Sequence, residues 1–144
     1  MRLDKFSFTR SCNYWIWNGL KIAWYVENEK GDIPLLLLHG FGASSKHWRK
    51  NIGSFANLGY AVYAIDLLGF GNSDQHGTKI IGSLDNGIWC DQVTDFINEI
   101  IRPISSKKIV LIGNSLGALT ALTCAVSIPE QISGIIASPL PDPV

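Results

Sequence analysis

The sequence has no apolar run near the ~18 residues a membrane-crossing helix needs. Its longest uninterrupted stretches, Pro34–Leu38 and Ile109–Ile112, are strand-sized. No apolar segment precedes Asn13, although Arg2 and Lys5 are basic, so a secretory leader is not expected. Charge of one sign is missing too. Twelve basic and twelve acidic side chains cancel, which leaves no net field to draw nucleic acid or an anionic membrane. Cysteine is scarce: Cys12, Cys90 and Cys124 are far apart, odd in number and without a Cys-x-x-Cys pair. That excludes a disulfide framework or zinc site and points to reduced packing residues in the cytoplasm.

What is present is a 144-residue chain, 47% hydrophobic, enough for one domain with a buried core and too apolar for intrinsic disorder. Two β-prone runs, Tyr14–Trp17 and Leu20–Glu27, flank Asn18-Gly19, a hairpin signal. Pro34–Leu38 and Ala61–Ile65 lack polar alternation, as suits strands covered on both faces. Between them, Trp48, Ile52, Phe55 and Leu58 recur at helical spacing over Trp48–Leu58, and Gly59 ends the segment. The stretch from Asp66 to Asn86 is longer than an ordinary connection. Helices are expected over Ile88–Ile101 and Leu116–Ile128, and strands over Lys108–Ile112 and Ile132–Ala137. Alternating strands and helices imply an α/β fold: a mostly parallel sheet with helices on both faces and the hairpin as an antiparallel edge.

Three glycine-rich segments carry the chemistry. Ile112-Gly113-Asn114-Ser115-Leu116-Gly117-Ala118 places Gly-x-Ser-x-Gly between a buried strand and a helix. Small residues at Gly113 and Gly117 allow a sharp turn that strains and exposes Ser115. The bland alternative is a serine that caps the helix. His39-Gly40-Phe41-Gly42 follows the first parallel strand, where Gly40 and Gly42 keep the backbone open. The Phe41 N–H, paired with that of Leu116, would make a two-donor oxyanion hole. His39 is expected to bond nearby backbone and shape this loop rather than act as a base. In Asp66-Leu67-Leu68-Gly69-Phe70-Gly71-Asn72-Ser73, Asp66 and Ser73 brace a tight loop through side-chain-to-backbone bonds. The five tryptophans are read as core and edge packing. Gly69-x-Gly71 has no third glycine and no phosphate-loop lysine follows, which sets nucleotide binding aside.

These three segments, in this order and spacing, resemble the α/β-hydrolase superfamily over residues 14 to 144. Gly42-Ala43-Ser44-Ser45-x-x-Trp48 and Ser138-Pro139-Leu140-Pro141-Asp142-Pro143 look like cyanobacterial and plastid-type members. The resemblance implies an eight-stranded sheet and a Ser–His–acid triad working without cofactor or metal. Ser115 matches the nucleophile, Phe41 and Leu116 the oxyanion donors, and His39, Gly40, Gly42, Gly113, Asn114 and Gly117 the supporting positions. A serine there argues against haloalkane dehalogenases and epoxide hydrolases, which need a carboxylate nucleophile.

One departure is large. The family order is Ser, acid, His, yet no histidine follows Ser115; His39, His47 and His76 all precede it. Glu130 and Asp142 are the only later carboxylates, and Asp142 is the one at a position where some members place their acid. Residues 1–144 therefore read as the N-terminal part of one hydrolase domain, with six of eight strands and without the cap and C-terminal part. The expected activity is hydrolysis of an ester or related acyl or C–C bond in a small, apolar substrate, weak in this chain alone. The alternative is a non-catalytic binding module that keeps the fold and lacks the base. The missing C-terminal half is the expected partner, with no nucleic acid.

Overall fold

The computed structural model describes residues 11–75 and 85–139; His76 and Asp142 lie outside them, as does the segment from Leu140 onward. The hairpin pairs β1 (Asn13–Trp17) with β2 (Leu20–Glu27). Its two-residue turn has positive φ at both Asn18 (49°) and Gly19 (77°), the twist that matches the flanking strands. The strands β3 (Pro34–Leu38), β4 (Ala61–Ile65), β5 (Ile109–Asn114) and β6 (Ile132–Ser138) complete one sheet in the order β1-β2-β4-β3-β5-β6. The pairs β3–β4, β3–β5 and β5–β6 are parallel, while β2 joins β4 antiparallel. The fold class read from the sequence, an α/β sheet with an antiparallel hairpin edge, is the one observed.

Every residue of β3 and β4 is buried, because helices cover both faces. Leu36, Leu38, Tyr63 and Ile65 pack with α2 (Asn86–Phe96) and α3 (Leu116–Ser127) on one face, where Val93, Phe96, Ile97, Ala121 and Cys124 meet them. Leu35, Leu37, Val62 and Ala64 face the other way, onto Trp48 and Ile52 of the first helical region. Each fully buried aliphatic side chain contributes about 1.5–3 kcal/mol, so this double cover dominates stability. Trp15, Trp17, Trp48 and Trp89 are buried. The indole N–H groups of Trp15 and Trp17 donate to Glu99 (2.7 Å) and Asp95 (2.8 Å), which ties the hairpin to α2 and its continuation.

Two helical segments differ from expectation. Trp48–Leu58 is not one helix: a 3-10 turn spans Ser45–Trp48 and a short α1 spans Ile52–Asn57. Ser44 caps the turn by accepting from the Lys46 N–H, and Gly53, Ser54 and Asn57 are weak helix formers, so helix starts early and propagates poorly. Gly59 (φ 97°) ends α1 as its spacing implies, with Gly59 N–H donating to Ala56 O and Tyr60 N–H to Phe55 O. The helix expected over Ile88–Ile101 begins at Asn86, capped by Asp85, and its last turn, Ile97–Ile101, widens into π-helix. No helix of the described residues is long and apolar enough to cross a membrane.

Candidate active site

Ser115 sits at the junction of β5 and α3 with φ 52° and ψ −113°, a conformation that costs a non-glycine residue about 1–3 kcal/mol. It holds the N-cap position, yet its hydroxyl makes no capping bond. Its N–H donates to the carbonyls of Ser138 (3.1 Å) and Pro139 (2.9 Å), so the end of β6 pins the turn, and its carbonyl accepts from the Leu119 N–H to begin α3. The turn is possible because its neighbours lack side chains. A Cβ on Gly113 would stand 2.3 Å from Gly117 O, and one on Gly117 would meet the carbonyls of Leu38 and His39. Helix α3 thus leaves the sheet at contact distance from β3, with its positive end at Ser115.

The loop after β3 lies against this turn. A Cβ on Gly40 would be 3.2 Å from Asn114 Oδ1 and 3.4 Å from Ser115 Cβ. The Gly40 carbonyl accepts from both His39 Nδ1–H (2.8 Å) and the Ala43 N–H (3.2 Å). Because the peptide is trans and planar, the Phe41 N–H is held in the opposite direction. Among the described residues, neither the Phe41 N–H nor the Leu116 N–H donates to a protein acceptor. The Phe41 ring is 78% exposed and meets Phe70 edge-on at 5.3 Å.

His39 is fully buried and engaged at both ring nitrogens. Nε2 accepts from the Leu67 N–H (3.0 Å), which with the Nδ1–H bond fixes a neutral tautomer. Burial pushes its pKa below the ordinary 6.5, against a smaller upward pull from the Gly40 bond and Asp66. His39 therefore joins the loop after β3 to the loop after β4. His47 is exposed, on the 3-10 turn beside Trp48.

Asp66 is the second junction. Its buried carboxylate accepts from the Ser45 N–H (2.7 Å) and the Asn72 N–H (2.9 Å). Ser73 Oγ donates to Asp66 O (2.6 Å) and accepts from the Ala23 N–H (2.9 Å). Gly71 (φ 56°) makes room, since a Cβ there would stand 2.3 Å from Asp66 Oδ2.

Sequence reasoning read Trp89 as a packing residue, as its burial bears out, but missed the bonds that it and Gln92 make to Leu68. The Trp89 indole N–H donates to Leu68 O, and Gln92 Oε1 accepts from the Leu68 N–H, each at 3.0 Å. From α2 they clamp the backbone beside Leu67. The available signal was a glutamine on the same helical face as Trp89, Val93 and Phe96, where a polar group must find a partner.

A mixed, mostly parallel α/β sheet that presents a strained, non-capping serine on a strand-to-helix elbow has the architecture of a hydrolase fold. A family model described as alpha/beta hydrolase fold matches residues 33–142, and the chain belongs to that family. It is 32% identical over 126 residues to human epoxide hydrolase 4, covering 88% of this chain and 33% of that protein. It is 29% identical over 115 residues to a 2-hydroxy-6-oxononadienedioate/2-hydroxy-6-oxononatrienedioate hydrolase of Paraburkholderia phymatum, covering 78% of this chain and 38% of that protein. Among solved structures it superposes on epoxide hydrolase A from Mycobacterium thermoresistibile with TM-score 0.76 at 26% identity, over 90% of this chain and 39% of that one. The chain spans about a third of the length of the curated relatives it matches.

Proposed function

We propose that the chain is the N-terminal, nucleophile-bearing part of a serine hydrolase that cleaves an ester or related acyl or C–C bond in a small, apolar substrate. The observation that carries this reading is Ser115 itself: it occupies a helix N-cap with φ 52° while its hydroxyl caps nothing, so capping does not account for a serine there. In this reading Ser115 Oγ attacks the substrate carbonyl. The Phe41 and Leu116 N–H groups then donate to the oxyanion that develops. The C-terminal part supplies the histidine that takes the hydroxyl proton and the acid that orients it. His39 cannot take that role while its Nε2 holds Leu67. Relatives named as an epoxide hydrolase and as a 2-hydroxy-6-oxononadienedioate/2-hydroxy-6-oxononatrienedioate hydrolase share the scaffold, and the serine at the elbow is what favours acyl or C–C cleavage here. We further place the protein near cyanobacterial and plastid-type members and in the cytoplasm, on the Gly42–Trp48 pattern and the unpaired thiols.

A second reading, a binding module without a base, is favoured by the engagement of His39 and the exposure of His47. A fluorophosphonate probe separates the two, because it needs an activated hydroxyl. The catalytic reading expects labelling of the full-length protein at Ser115, lost in Ser115→Ala. Absence of labelling favours the binding module, and equal labelling of the variant removes Ser115 from the mechanism.

A further inference from the structure

Helices α2 and α3 meet along a seam of matched rungs. Asn86 Oδ1 accepts from Thr120 Oγ1 (3.0 Å), 34 residues on, and Asn86 Nδ2 donates to Thr123 Oγ1 (2.5 Å), 37 residues on. One turn later the offsets repeat. Cys90 Sγ lies 3.4 Å from Cys124 Sγ, again 34 residues on, and 3.8 Å from Ser127 Oγ, again 37 residues on. The helices are thus parallel and in register, and the second rung consists of two free thiols. A disulfide needs only about 1.4 Å of further approach between these sulfurs.

We propose that Cys90 and Cys124 are an oxidisable dithiol which a hydroperoxide closes into a disulfide, stapling α2 to α3. Both thiols are buried, and Cys90 reacts first because it keeps 4% exposure and lies beside exposed Ser127, whereas Cys124 has none. The Cys90 thiolate attacks one peroxide oxygen and releases water after proton uptake, leaving a sulfenic acid. The Cys124 thiol gives up its proton as it attacks the Cys90 sulfur, and the hydroxide expelled takes up that proton to leave as the second water. In sum two thiols and one hydrogen peroxide give one disulfide and two waters: the sulfurs lose two electrons and the peroxide gains them. Burial raises the Cys124 thiol far above its ordinary pKa, which slows the closing step. The staple would join the helix that clamps Leu68 to the helix that begins at Ser115, so its formation bears on both loops of the site.

The test is hydrogen peroxide treatment of the folded protein, then alkylation under denaturing conditions and non-reducing peptide mapping, with a dithiothreitol-treated control. The expected result is a cross-linked Cys90–Cys124 peptide, recovered as two free thiols after dithiothreitol and still formed in Cys12→Ser. In Cys124→Ser the cross-link is lost and Cys90 is trapped by a sulfenic-acid reagent. Recovery of both thiols alkylated, their conversion to sulfinic or sulfonic acids, or pairing of either with Cys12 overturns the proposal.

Discussion

A Cβ placed on Gly117 would stand 2.1 Å from the carbonyl oxygen of Leu38, so α3 and β3 touch through bare backbone. Elsewhere in a helix, replacing glycine by alanine gains up to about 1 kcal/mol. Gly117→Ala is expected to do the opposite, with a loss of about 1–3 kcal/mol as the helix is forced off the sheet. Thermal unfolding decides by sign, and an unchanged or raised midpoint would show that the close approach is not structural.

The His39 ring gives a pH dependence. Its pKa lies below 6.5 in the folded chain because the ring is buried, so the unfolded state binds more protons as pH falls below that value. The contribution is fully present above about pH 6.5 and is lost as pH falls towards the folded pKa. Nearby Asp66 opposes the shift and His47 reinforces it. Melting midpoints from pH 7.5 downward should fall for the wild type. His39→Gln should be less stable at neutral pH, with a shallower slope. Parallel curves for the two proteins would dissociate the effect from this ring.

On the proposed function, Gly40 and Phe41 should respond differently in the full-length protein. A β-branched side chain at Gly40 meets Asn114 and Ser115, which displaces the peptide carrying the Phe41 N–H. One lost oxyanion donor lowers kcat by roughly 10²–10³-fold. Gly40→Val should approach that loss. Phe41→Leu, which changes only an exposed ring that meets Phe70 edge-on, should cost a few-fold. Equal losses would contradict a backbone role for Phe41.

Strand β6 is the outermost strand on its side of the sheet among the described residues, and Ile136 on it is 55% exposed. On α3, Leu119, Leu122 and Val126 are exposed too, with Val126 at 83%. An open strand edge beside exposed apolar side chains favours self-association. Light scattering of the 144-residue chain should show association that Val126→Lys with Ile136→Lys reduces, while the melting midpoint moves little. A monodisperse wild-type chain would remove the premise.

How much of this was legible follows from how local each cause is. Pro34–Leu38 and Ala61–Ile65 are readable because burial on both faces forces unbroken apolar runs, and Asn18-Gly19 is readable because its positive φ values restrict the residue types. The elbow is readable for the same reason: Gly113 and Gly117 are sterically required. The break between Trp48 and Ile52 is hidden, since apolar spacing continues across it while capping by Ser44 sets the real start. The bonds from His39 to Leu67 and from Gln92 to Leu68 reach 28 and 24 residues along the chain, and no local pattern encodes such partners. The sheet order, with β4 between β2 and β3, is equally non-local.

The bonds around Asp66 have a bearing on cooperativity. Its carboxylate is satisfied only when the loop holding Ser45 and the turn holding Asn72 are both in place, and Ser73 meets Ala23 across 50 residues only when β2 has joined β4. Lifting the Ser45 loop or the Asn72 turn leaves a buried carboxylate oxygen without its donor, and lifting β2 leaves the Ala23 N–H without its acceptor, each at a cost above that of a surface bond. These bonds couple the two loops beside the elbow to the hairpin edge, so opening of one is expected to weaken the others.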